Sequence, residues 1–98
     1  MGIIKGIKLS SIEECLKEVT GMSFQIRLFQ EEYEDVINQT KSNKKNLAQG
    51  SIPKDVYEKN LGILESEKKR LKGRINETIR RARSVNEKVR SLADSNRI

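Results

Sequence analysis

Leu47-Ala-Gln-Gly50-Ser-Ile52-Pro53-Lys-Asp55-Val56-Tyr57 is where this chain changes direction. Gly50 can adopt the left-handed backbone that closes a helix, and Pro53 suits the first turn of the next one, where its missing N–H would be unpaired anyway. Asp55 then stands at the positive end of the new helix dipole. Outward from this point, apolar residues recur at alternating intervals of three and four. Before the turn the series is Ile12, Cys15, Val19, Met22, Ile26, Phe29, Tyr33 and Val36, continued by Thr40, Asn43 and Leu47. After it come Tyr57, Leu61, Leu64, Lys68, Leu71, Ile75, Thr78, Ala82, Val85, Val89 and Leu92. Members of the two series pair so that their numbers sum to 104, as in Ile12 with Leu92, Val19 with Val85 and Leu47 with Tyr57. The spacing predicts an all-α fold, an antiparallel two-helix coiled-coil hairpin with its register set by the turn.

With 98 residues, 35% of them apolar and 35% charged, the chain has material for one domain at most and no large core. The expected organisation is an apolar and basic N-terminal arm over residues 1–9, a helix over 10–49, a turn at 50–52 and a helix over 53–95. Ser10 with Glu13, or Ser11 with Glu14, forms a capping box that places the first helix start there. Ile3, Ile4, Ile7 and Leu9 make the arm apolar enough to pack against the hairpin end or to contact a membrane or partner. At about 1.5 Å per residue each helix would be roughly 55 to 60 Å long.

Flanking charges support the same alignment, bringing Glu18 to Lys88, Glu32 to Arg74 and Lys44 to Glu58. Each exposed pair contributes only about 0 to 1 kcal/mol, so these specify alignment more than they stabilise. Thr40, Asn43 and Lys68 interrupt the apolar seam near the turn, and that half is expected to be the looser. Gly21, Gly62 and Gly73 each cost about 1 kcal/mol relative to Ala in a helix interior.

Apolar residues also occur where the seam does not need them. Leu16, Phe24, Leu28, Ile37, Val56, Ile63 and Ile79 lie off the two series. A helix that packs against two neighbours carries such a widened stripe, so the functional unit is expected to hold more than two helices. The hairpin would be completed to a larger bundle by self-association or by helical partner subunits.

Chemistry is sparse. The chain has no histidine, no Gly-rich phosphate loop and no nucleophile with a base beside it, so no enzyme activity, metal or cofactor is expected. Cys15 falls on the seam and reads as a buried, inert thiol. The net charge of +6 is uneven: residues 68–98 hold 11 Lys/Arg and 3 Asp/Glu, against 9 and 11 over residues 1–67. Lys69, Arg70, Arg74, Arg80, Arg81, Arg83 and Arg90 are therefore the candidate anion-binding set, for an acidic protein or an anionic membrane surface. Nucleic acid is the less favoured ligand, because no aromatic residue comes after Tyr57 to stack on bases. The N-terminal stretch has lysines where a signal peptide has its apolar core, which leads to an expectation of a cytoplasmic protein, peripheral to membranes at most.

The stretch from Leu47 through Tyr57, together with Leu64, Lys68, Leu71 and Ala82, resembles the steadiness-box hairpin in the headpiece of ESCRT-I. The shared pattern is a leucine, a glycine three residues on, an isoleucine, then aspartate, valine and an aromatic, with leucines at helical spacing beyond. The resemblance implies a hairpin that packs side by side with hairpins of partner subunits in a membrane-remodelling, protein-sorting complex.

Overall fold

The computed structural model describes the backbone of residues 2–95 and the side chains of residues 11–95. The protein is a helical hairpin. Helix α1 spans Gly2–Ala48 and helix α2 spans Lys54–Ser95, and no strand occurs among the described residues.

A Schellman motif ends α1. Gly50 has a φ of 73°, the Ser51 N–H donates to the Asn46 carbonyl at 2.8 Å, and the Gly50 N–H donates to the Leu47 carbonyl at 3.0 Å. Carbonyls that the last helical turn would leave open are thereby satisfied. Pro53 sits just outside α2, and its carbonyl accepts the first helical bond from the Tyr57 N–H at 3.0 Å. The turn thus lies within one residue of its expected bounds.

The start of α1 differs from the expectation. The helix runs back through the stretch read as an arm, so the Ser10 and Ser11 capping box lies inside it rather than at its end. A capping box satisfies free donors but does not stop a helix from continuing upstream. No proline interrupts residues 2–10, and extending an existing helix is far easier than starting one. What the arm's side chains touch lies outside the described residues.

The chain packs as two compact units, each made of one piece of α1 and one of α2. The turn unit comprises residues 27–75. The terminal unit combines the part of α1 up to Ile26 with the part of α2 from Asn76. In the turn unit Val36, Asn43 and Leu71 are buried, and Phe29, Tyr33, Thr40, Leu47, Tyr57, Leu61, Leu64 and Ile75 are half-buried. In the terminal unit Cys15 and Thr78 are buried, with Ile12, Val19, Met22, Ile26, Ala82, Val85, Val89 and Leu92 half-buried. Side chains stacked at three-and-four spacing on two helices are covered from one direction only, which explains so few fully buried residues.

Of the five buried residues among those described, three lie in the turn unit, so its polar seam positions do not prevent burial there. Its polar seam residues are accommodated. Thr40 donates to the Val36 carbonyl at 2.8 Å, Asn43 has two side-chain hydrogen bonds, and Lys68 is half-buried, as when its aliphatic stem lies along an apolar surface.

Candidate interaction surface

The residues expected to meet partners divide by exposure. Phe24 is 61% exposed, Ile63 56%, Leu16 50%, Leu28 44% and Val56 38%, whereas Ile37 and Ile79 are half-buried beside the seam. Leu16, Phe24 and Ile79 belong to the terminal unit, and Leu28, Ile37, Val56 and Ile63 to the turn unit. Ile37 and Ile79 each directly follow a buried seam residue, Val36 and Thr78, but so does exposed Leu16, which follows Cys15, so spacing from the seam alone does not set the division. Phe24 stands two positions from both Met22 and Ile26, which turns it away from the seam and into solvent. Ile63 precedes Leu64, itself only half-buried, and gains little cover from it.

Ile63 borders an open hollow of about 350 Å³ in the turn unit. Gln39, Ser42, Asn43 and Asn46 line it from α1, and Asn60, Ile63 and Leu64 from α2. Asn43 is only 6% exposed, and its amide donates to the Tyr57 carbonyl at 3.2 Å while its Oδ1 accepts from the Asn60 amide at 3.2 Å. The heptad pattern places Asn43 on the seam but singles out neither Asn60 nor the hollow. The signal in the sequence is the run of amides and hydroxyls at Gln39, Ser42, Asn43 and Asn46, facing Asn60 across the turn.

The cationic set is exposed throughout: Lys69, Arg70, Arg74, Arg80, Arg81, Arg83 and Arg90. Arg70 is committed within the turn unit. Its guanidinium grips Glu67 with two bonds, Nε to Oε1 at 3.1 Å and Nη2 to Oε2 at 2.9 Å, and lies 3.9 Å from the Glu32 carboxylate of α1. The hydrogen bond from Arg70 holds the Glu67 carboxyl below the usual glutamate range, and the same bond raises Arg70. Arg74, the expected partner of Glu32, is engaged as well. Two other expected pairs, Glu18 with Lys88 and Lys44 with Glu58, do not form among the described residues. All four side chains are exposed, where the attraction is too weak to hold two long chains in one geometry.

In the terminal unit Arg83 and Arg90, one heptad apart, flank a second open hollow with Asn86 and Glu87. Cys15 is buried at 5% exposure. Among the described residues no group of three or more His, Cys, Asp or Glu is placed to hold a metal ion, and no helix is long and apolar enough to cross a membrane. Comparison with known protein families, characterised proteins and solved structures finds no match for the chain.

Proposed function

We propose that this chain is a non-enzymatic scaffold or adaptor subunit whose hairpin docks other helices, from partner subunits or from a second copy. One observation carries the reading: Phe24, Ile63, Leu16 and Leu28 stay 44–61% exposed, off the seam that α1 and α2 share. Covering such side chains returns about 25 cal/mol per Å² of apolar surface removed from water, so they favour association. The resemblance at the turn directs the proposal to hairpin subunits of an ESCRT-I-like protein-sorting assembly, with the chain cytoplasmic or peripheral at a membrane.

The test is a variant with Leu16→Asn, Phe24→Asn and Leu28→Asn, checked for native helix content by circular dichroism. Light scattering and co-purification with ESCRT-I headpiece subunits should show that association is lost. Association that persists unchanged removes the apolar surface from the mechanism. Binding to no headpiece subunit removes the ESCRT-I assignment.

A second reading is favoured by a separate observation. Arg80, Arg81, Arg83 and Arg90 are exposed and form no ion pair with the described acidic residues of α1 in the terminal unit. They would suit an anionic membrane or, less favoured, nucleic acid, with binding that weakens steeply as salt is raised. Replacing these arginines by glutamine should abolish salt-sensitive binding to anionic liposomes under this reading and leave helix docking intact under the first.

A further inference from the structure

The heptad frame does not break at the turn. Steps of seven from Ile12 reach Leu47 and then Lys54, Leu61 and Val89, while steps of seven from Cys15 reach Asn43 and then Gly50, Tyr57 and Leu92. A turn is free to shift this phase by any number of residues, because the chain between two helices need not keep the helical count. Here it shifts by none. Were residues 49–53 helical, the seams of α1 and α2 would fall on one unbroken stripe.

We infer that the chain has a second, helix-swapped form, in which two copies pair antiparallel, each with α1 and α2 joined through residues 49–53 as one helix. The seam itself names the occupant. Each α1 is then covered by the twin's α2, whose residues are the same ones that cover it in the hairpin. Pairs whose numbers sum to 104 keep that sum when their members come from different chains, and a two-fold axis level with Ile52 makes every pair twice. The bond from Asn60 to Asn43 and the approach of Arg70 to Glu32 re-form between copies. This form stands apart from the adaptor reading, because the seam and not the exposed apolar residues makes the contact.

Two turn residues hold the balance toward the hairpin. In the closed form Gly50 takes a φ of 73° at no steric cost, and Pro53 sits outside α2 where its missing N–H goes unneeded. In the swapped form both stand inside a helix. Pro53 there leaves the Gln49 carbonyl without its helical bond and crowds it, and Gly50 is a poor helix former. The new layers at the axis, Gly50 against the twin's Lys54, add no apolar burial in return. The hairpin is thus the form of the dilute native chain, and swapping sets in where copies are crowded.

The test compares the native chain with the double variant Gly50→Ala, Pro53→Ala, each checked for helix content by circular dichroism. Sedimentation should show the variant at twice the 11.3 kDa of one copy, with the dissociation constant of the dimer lowered by about a thousandfold or more. In a Cys15→Ala background, one batch of the variant carries a spin label only at Glu34 and another only at Lys72, both exposed positions of the turn unit. Unfolded together and refolded as a mixture, they should give the same distance between molecules that a doubly labelled native monomer gives within one. A folded variant that keeps the mass of one copy overturns the inference. So does a doubled mass in which labels on different molecules do not reach that distance, since the copies would then be closed hairpins lying side by side. If the variant does not fold, the native chain refolded at millimolar concentration decides: a doubled mass with the cross-molecule distance upholds the swapped form, and any other result overturns it.

Discussion

Asn60 donates a side-chain N–H to the Oδ1 of Asn43 at 3.2 Å, tying α2 to α1 beside the turn. Asn43 in turn donates to the Tyr57 carbonyl, so a polar side chain only 6% exposed has its hydrogen bonds made across the hairpin. Sliding one helix along the other would bury that amide without these partners, at a cost of about 1–3 kcal/mol. The pair acts on alignment as much as on stability.

Replacing Asn43 by Ala should therefore lower the unfolding free energy by about 1–3 kcal/mol, read from the urea midpoint. Asn43→Leu should be near neutral or stabilising, because an apolar seam residue avoids desolvating an amide, but its register should be less unique. Spin labels at Glu34 and Lys72, both exposed in the turn unit, should report a broader distance distribution in the Leu variant than in the native chain. Equal stability of Asn43→Ala and the native chain would show that the amide pair anchors nothing.

Leu71 is 1% exposed, the most buried side chain described, and Leu28 is 44% exposed. Truncating Leu71 to Ala should cost about 2–5 kcal/mol through lost burial and the cavity left behind. Leu28→Ala should stay within about 0.5 kcal/mol in the isolated chain. Similar losses at the two sites, measured by chemical denaturation, would contradict the packing described.

Gly50→Ala should destabilise by about 1–2 kcal/mol, because its φ of 73° forces a side chain toward the following carbonyl. At Gly21, Gly62 and Gly73 an added Cβ meets nothing within 4 Å. Alanine at each of these should instead stabilise by up to about 1 kcal/mol, since glycine is a poor helix former. Opposite signs in thermal unfolding are the readout.

Glu67 titrates below its ordinary range when folded, because of the hydrogen bond from Arg70. A carboxylate whose folded pKa is depressed contributes stability above its unfolded pKa and loses that contribution as pH falls through the folded value. Acidification from neutral pH through the glutamate range should thus lower Tm more in the native chain than in Glu67→Gln. Both side chains are about half exposed to solvent, so the difference should be small and should shrink in salt. Identical pH profiles would mean that the Arg70 grip contributes nothing to folding.

Much of this architecture is legible in one dimension. Gly50 and Pro53 mark the reversal, and the three-and-four spacing from Ile12 to Leu47 and from Tyr57 to Leu92 marks the faces that become covered. Both depend on local backbone preference and helical periodicity, which are properties of neighbouring residues. The start of α1 is not legible, since a capping box at Ser10 or Ser11 allows a helix to begin without requiring it. Nor is the division among the surplus apolar residues, where half-buried Ile37 and Ile79 differ from exposed Phe24 and Ile63. The engagement of Glu32 by Arg70, the bond between Asn43 and Asn60 and the uncharged hollow at Ile63 arise only when two helices meet. Which long side chain reaches across, and which amides pair, depends on the rotation and separation of the helices, and those are set by tertiary packing rather than by spacing along the chain.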